Sequence, residues 1–212
     1  TLAIIGGTGS GKTTIANLLL RFSDVTKGAV KVNGTDVRDL SLNNLRDLVG
    51  YVPQKANLFS GTIRENLKYG NGDASDEELW YALRIAQSES FVRELPDGLD
   101  AHVAQGGNNF SGGQKQRLCI ARAIVKQANI YLFDDSFSAL DYTTDRNLRG
   151  ALKEVTENAA TIIIAQRVST IRDADTIVVL DKGEISGIGS HDELMANDIY
   201  REIVESQIKG AN

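Results

Sequence analysis

Short apolar runs alternate along this chain with stretches of helical spacing. Residues 2–5, 49–52, 130–133, 161–165 and 176–180 are compact runs of Leu, Ile, Val and Phe, the pattern of strands buried on both faces. Residues 29–32 read as a further strand, and Asn33-Gly34 behind it is a hairpin signal. Between the runs, apolar positions recur at helical spacing: Ile15, Leu18, Leu19 and Phe22 within 13–22, then 42–48, 76–87, 112–126 and 142–154. Residues 88–95 predict another helix, stopped by Pro96. Gly183 marks a turn, and two helices starting near Ser190 and Asp198 close the chain. Strands alternating with helices predict an α/β fold with a mainly parallel sheet. The stretch from 61 to 126 is helical in pattern, so the expectation is one domain over 1–212: a core of about 1–60 and 127–212, with a helical subdomain at about 61–126.

The chain has 212 residues, of which 42% are hydrophobic, enough to bury a sizeable core without staples. The formal net charge of −5 gives no basic surface for nucleic acid. Cys119 is the sole cysteine, which excludes an intrachain disulfide and fits a reducing compartment. No apolar run approaches the roughly 18–20 residues that cross a bilayer, so no direct membrane insertion of this stretch is expected. The first residues already read as a buried strand running into a glycine loop, from which an N-terminally truncated chain is expected.

That loop carries the first chemistry. Gly6-Gly7-Thr8-Gly9-Ser10-Gly11-Lys12-Thr13 fits G-x-x-x-x-G-K-[ST] in full, between a strand and a helix, with Thr14 behind it. Glycines let successive backbone N–H groups converge on one anion, and the helix start adds positive potential. Lys12 would reach the β- and γ-phosphates of a nucleotide such as ATP, and the Thr13 hydroxyl would ligate Mg²⁺. The run 130–134 is an apolar strand ending in Asp134, placed to hold Mg²⁺ through its hydration shell as in other P-loop NTPases. Asp135 follows, where a carboxylate can polarise an attacking water. Taken as a helix start only, Asp134 would be an N-cap.

Asn109-Phe110-Ser111-Gly112-Gly113-Gln114-Lys115-Gln116-Arg117 resembles the signature motif of ABC ATPases, with phenylalanine where leucine is commonest. Ser111 and Gln114 also form a capping pattern, but a capped helix needs no glycine pair between its cap residues; glycines there let a phosphate approach. Gln54 in Tyr51-Val52-Pro53-Gln54 looks like the family's Q-loop glutamine, which contacts Mg²⁺ and the attacking water. Ser138-Ala139-Leu140-Asp141 looks like the D-loop, and 58–67 resembles the segment after the Q-loop in exporter-type domains. The resemblance covers essentially the whole chain and lies nearest the bacterial heterodimeric multidrug exporters. It implies a P-loop NTPase (RecA-like) core with an α-helical ABC subdomain. It also implies ATP hydrolysis driving efflux of a drug or lipophilic compound, at the cytoplasmic face of the cell membrane. Two such domains would clamp two ATP molecules, with Ser111, Gly112, Gly113 and Gln114 facing the partner's ATP. Transmembrane domains would dock in the groove between core and subdomain, near residues 55–60. The adenine-stacking aromatic of this family lies upstream of the first strand, so weaker ATP binding by this chain is expected.

Two departures stand in one site. The family usually has glutamate where this chain has Asp135, and histidine where Ala165-Gln166-Arg167 has Gln166. One methylene fewer retracts the carboxylate by roughly 1.5 Å, and misplacement of about 1 Å can cost on the order of 100-fold in rate. Glutamine can donate to a γ-phosphate but carries neither proton nor charge. The expectation is a degenerate, slow site whose intact signature completes the site of a different partner chain. Gln105 stands where exporters often carry a communicating glutamate.

Two other classes share some of these motifs. A non-transport ABC ATPase of DNA maintenance would carry long insertions, yet Lys12 and Ser111 are only 99 positions apart, with no heptads or cysteine pairs. A nucleotide-gated regulatory module without useful turnover overlaps with the degenerate-site reading. His191 reads as part of a capping box, His102 as a surface residue, Cys119 as core, and Trp80 and Tyr81 as packing.

Overall fold

The computed structural model describes residues 1–209 and divides into two compact units: residues 1–49, 132–138 and 160–209, and residues 50–131 and 139–159. In chain order the elements are β1 (Leu2–Gly6), α1 (Lys12–Leu19), β2 (Lys31–Val32), β3 (Thr35–Asp36), α2 (Leu42–Asp47), β4 (Val49–Val52), β5 (Gly61–Thr62), α3 (Ile63–Lys68), α4 (Asp76–Ile85) and α5 (Glu89–Glu94). There follow β6 (His102–Val103), α6 (Gly112–Val125), β7 (Ile130–Asp134), α7 (Tyr142–Thr156), β8 (Ala160–Ile164), α8 (Val168–Ile171), β9 (Thr176–Asp181), β10 (Glu184–Gly189), α9 (His191–Leu194) and α10 (Asp198–Lys209).

One sheet has the strand order β10-β9-β1-β8-β7-β4, and the division between the units passes through β7 itself. In the first unit β1 lies parallel between β8 and β9, pairing Ile4 with Ile164 on one side and Val178 on the other. Ala3, Ile5, Phe133, Ile164, Ile177 and Val179 are buried, as expected for strands covered on both faces. The turn after β9 has Lys182 at φ 49° and Gly183 at φ 86°, the left-handed pair that reverses a strand. It returns the chain as β10, antiparallel to β9, with an irregularity between Ile185 and Gly187. The sequence reading marks this turn but not the strand behind it. Two glycines interrupt β10, and Ile185 and Ile188 face outward, so no buried run advertises it.

Two helical expectations and one strand bound are corrected. The first helix ends at Leu19, not residue 22, because Arg21 turns left-handed at φ 54°. Phe22, expected on its apolar stripe, is exposed beneath the Arg46 guanidinium, 5.0 Å from the ring centre. Residues 61–62, read as the start of a helical stretch, form β5 and pair with β6 before α3 begins. Ala165, placed in a strand, has already left β8.

The second unit packs Ile63, Leu67, Leu79, Leu83, Leu118 and Ile120 from α3, α4 and α6 around a buried core. Arg64 on α3 pairs with Asp100 at 2.7 Å and with Asp76, tying the turn before β6 and the start of α4 to that helix. This unit also takes in 50–60, 127–131 and 139–159, and is therefore wider than the helical stretch 61–126. Cys119 is buried and His102 exposed. Tyr81 donates to Glu154 at 3.1 Å, and Arg93 stacks 4.1 Å over Trp80. In the first unit, Ser190 and Glu193 form the reciprocal cap of α9, and His191 Nδ1 bonds the Tyr200 hydroxyl at 2.8 Å.

Candidate nucleotide site

In the first unit, β1 ends in a loop that closes tightly on its neighbours. A Cβ on Gly6 would stand 2.3 Å from the Leu180 carbonyl oxygen and 2.6 Å from Ser10 Oγ, so only glycine fits. Ser10 N–H donates to Gly7 O at 3.2 Å, and Gly183 N–H from the β9–β10 turn donates to Ser10 O at 3.2 Å. Gly11 enters α1 at φ 100°, and α1 has neither a side-chain cap nor an acidic residue in its first turn. That helix start keeps its positive end uncompensated.

Lys12 sits at the first position of α1, where a cation opposes the helix dipole, and it is only 8% exposed. Its ammonium donates to Gly6 O at 2.8 Å and Gly7 O at 2.7 Å. Burial pushes its pKa down, and Asp135 and Asp134 oppose that shift. Next to it, Thr13 Oγ1 donates to Asp134 Oδ1 at 3.4 Å. Burial pushes the Asp134 carboxyl upward and Asp135 adds to this, while Thr13 and Lys12 pull it down. A buried carboxylate touching a hydroxyl is a hard oxygen pair, which suits Mg²⁺, an ion that keeps several waters and takes few protein ligands. Among the described residues there is no cluster of three or more His, Cys, Asp or Glu fit for a metal.

Asp135 takes the left-handed backbone conformation at φ 47°, which aspartate tolerates better than longer side chains, and its N–H donates to Ile164 O at 2.7 Å. Gln166 Nε2 donates to Asp135 Oδ2 at 3.0 Å. Ser138 Oγ donates to Asp135 O at 2.9 Å, and Arg167 donates to Ser138 O at 3.1 Å. A closed circuit therefore joins 135, 138, 166 and 167. One of its members, Arg167, and one residue that supports it, Gln207, carry no sequence signal of their own. Arg167 was read only as part of a tripeptide. Gln207, which holds the 166–168 backbone, sits far along the chain on an exposed helix with no motif around it.

The second unit carries the other expected residues. Gln54 lies exposed just past β4, and Gln116 Nε2 donates to the adjacent Pro53 O at 3.4 Å. Ser111 Oγ accepts from Gln114 N–H at 3.2 Å while Gln114 Oε1 accepts from Ser111 N–H at 2.9 Å, a complete reciprocal cap for α6. A Cβ on Gly112 would meet nothing within 4 Å, so packing does not require glycine there; a Cβ on Gly113 would stand 3.4 Å from Ala139 O. Asp141 caps α7 by accepting from Thr144 N–H at 2.9 Å. Gln105 is exposed.

A strand-to-helix glycine loop, a buried lysine at the helix start and a strand-end carboxylate beside the following threonine define a nucleotide-binding P-loop protein of the α/β class. Residues 1–138 match the family described as ABC transporter. An uncharacterised ABC transporter ATP-binding protein of Mycobacterium tuberculosis is 48% identical over 98% of this chain and 36% of its own length. The ATP-dependent lipid A-core flippase of Desulfotalea psychrophila is 44% identical over 92% of this chain and 34% of its own. The human mitochondrial iron-sulfur clusters transporter ABCB7 is 44% identical over 97% and 28%. A solved bacterial Atm1-family ABC exporter with ATP bound superposes with a TM-score of 0.95 at 42% identity, over 98% of this chain and 37% of that one. The chain belongs to the ABC transporter ATP-binding family, whose members are ATPases coupled to transport, and its solved structural neighbour is an ABC exporter. It spans about a third of the length of the curated relatives it matches. Among the described residues, no helix is long and apolar enough to cross a membrane.

Proposed function

We propose that this chain is a single nucleotide-binding domain that binds ATP and hydrolyses it slowly as the weaker half of a two-domain exporter motor. The observation that carries this reading is the bond from Gln166 to Asp135, at the place where the family usually sets histidine beside glutamate. Lys12 and the loop of Gly6, Gly7, Thr8, Gly9, Ser10 and Gly11, continued by Thr13 and Thr14, would hold the phosphates. Thr13, Asp134 and Gln54 would hold Mg²⁺, which when bound offsets phosphate charge. Asp135 would orient the attacking water, but its carboxylate is one methylene short and already accepts from Gln166. Gln166 keeps a second N–H for the γ-phosphate, without the charge a histidine can carry.

Ser111, Gly112 and Gly113 would complete the ATP site of a second, different domain, with Gln114 holding the cap and Ser138 and Asp141 at the junction. The open space at Gly112 supports an approach by phosphate. Transmembrane domains of the same transporter would dock near residues 55–60. Here Phe59 is 48% exposed, stacks 4.8 Å from Tyr69, and has both its backbone groups bonded by the buried Asn66 at 2.8 Å. The domain would then work at the cytoplasmic face of the cell membrane. A lipophilic or drug-like cargo is favoured, since one relative is a lipid A-core flippase.

The test is steady-state ATP hydrolysis by this chain and by its Asp135→Glu, Gln166→His double variant, with nucleotide affinity measured in both. A gain of at least about tenfold, roughly 1.4 kcal/mol off the barrier, at similar affinity is expected. Equal turnover in both would instead make this one of two equivalent motor domains.

A further inference from the structure

The loop from β8 to α8 is short of local support. The side chain of Arg167, the residue before α8, makes no cap for that helix, and Gln166 and Arg167 are both exposed. Its support comes from the far end of the chain. Gln207 Oε1 on α10 accepts from Val168 N–H at 2.9 Å, and Gln207 Nε2 donates to Gln166 O at 2.7 Å. One side-chain amide thus pairs with the backbone on both sides of Arg167, as a neighbouring strand would. It supplies the acceptor that α8 lacks from a cap of its own. It also fixes the peptide from which the Gln166 side chain sets out toward Asp135.

The helix that presents Gln207 is itself anchored. Tyr200 is fully buried and its hydroxyl meets His191. Tyr200 and Gln207 are seven positions apart, two turns along one helix face. We infer that Gln207 is a positioning residue, through which the C-terminal helix sets the aim of Gln166 at the nucleotide's terminal phosphate. This rests on the reading of Gln166 given above.

Two measurements test it in this chain. The first is hydrogen exchange of the Val168 amide without nucleotide, in the wild type, Gln207→Ala, Gln207→Glu and, as a control on an exposed face of α10, Glu202→Ala. Exchange should quicken at least about tenfold in Gln207→Ala, the size expected from the loss of a buried-side bond. It should stay slow in Gln207→Glu, which keeps the acceptor, and in the control. The second is the preference for a non-hydrolysed ATP analogue over ADP. Gln166→Ala and Gln207→Ala should each lower it by about tenfold, the size of one hydrogen bond to a charged group, and the double variant should lose no more than either alone. Slow exchange in Gln207→Ala, fast exchange in the wild type, or additive losses in the double variant would overturn the inference. An unchanged preference in Gln166→Ala would overturn the reading of Gln166 itself and the inference with it, whatever the exchange data show.

Discussion

Two helices of this molecule begin at glycine-rich turns, and they begin in opposite ways. In the first unit, α1 starts without a side-chain cap and without an acid, and its first residue is a buried lysine whose charge opposes the dipole. In the second unit, α6 starts with a full reciprocal cap from Ser111 and Gln114, and its first glycine faces open space. Local stability explains the second start and not the first. The buried cation at this positive helix end is held by the Gly6 and Gly7 carbonyls and favoured by the charges of Asp135 and Asp134. The difference teaches that one start leaves its positive end open, which suits an anion, while the other is first a stable helix end and can present its N–H groups without being spoiled by that role.

The largest expected effect breaks the first start. Lys12→Met should lower nucleotide affinity by about 100-fold or more, the scale of charge-assisted bonds to phosphate, with a melting temperature equal to or above the wild type. A large drop in melting temperature would make the ammonium structural and erase the contrast. Next comes Gly6→Ala. Its Cβ would overlap the Leu180 carbonyl, a backbone atom, and unfolding measurements should show a loss of about 2–3 kcal/mol.

Ser111→Ala removes one arm of the α6 cap and should cost about 1 kcal/mol in chemical denaturation, sharpening the claim that this start is capped for stability. Gly112→Ala should leave stability unchanged or raise it by up to about 1 kcal/mol, since helical alanine is preferred and nothing crowds the site. If the signature completes a partner's site, the same variant lowers turnover of the assembled pair.

The smallest effect concerns Cys119 on α6. Burial raises its thiol pKa above the ordinary 9.0. Above that value the unfolded chain releases the proton while the folded chain keeps it, so stability falls as pH rises. Thermal melts between pH 8 and 10 should show a shallower decline in Cys119→Ala than in the wild type.

Much of the site was legible because each of its signals is local. The loop at 6–13 needs its glycines and lysine at fixed offsets, and the cap of α6 needs Ser111 and Gln114 three apart; both are short-range geometry that a sequence can display. The buried runs of β1, β8 and β9 were legible for a similar reason, since parallel strands covered on both faces admit little but aliphatic residues. Where the reading slipped, tertiary contact outweighed local pattern. Phe22 kept helical spacing but lies beyond a left-handed Arg21, and β10 is held by pairing to β9 rather than by any burial of its own.

By itself, then, the sequence determined the α/β class, the glycine loop into α1, the carboxylate pair and the cap of α6, because contacts between near neighbours specify each of these. Only the tertiary structure decided that Thr13 meets Asp134, that Gln166 reaches Asp135 across 31 positions, and that Gln207 holds the backbone of Gln166 across 41. Such bonds join polar groups far apart in the chain. No periodicity or spacing encodes them, and they exist only once the buried strands have set the loops at their ends side by side.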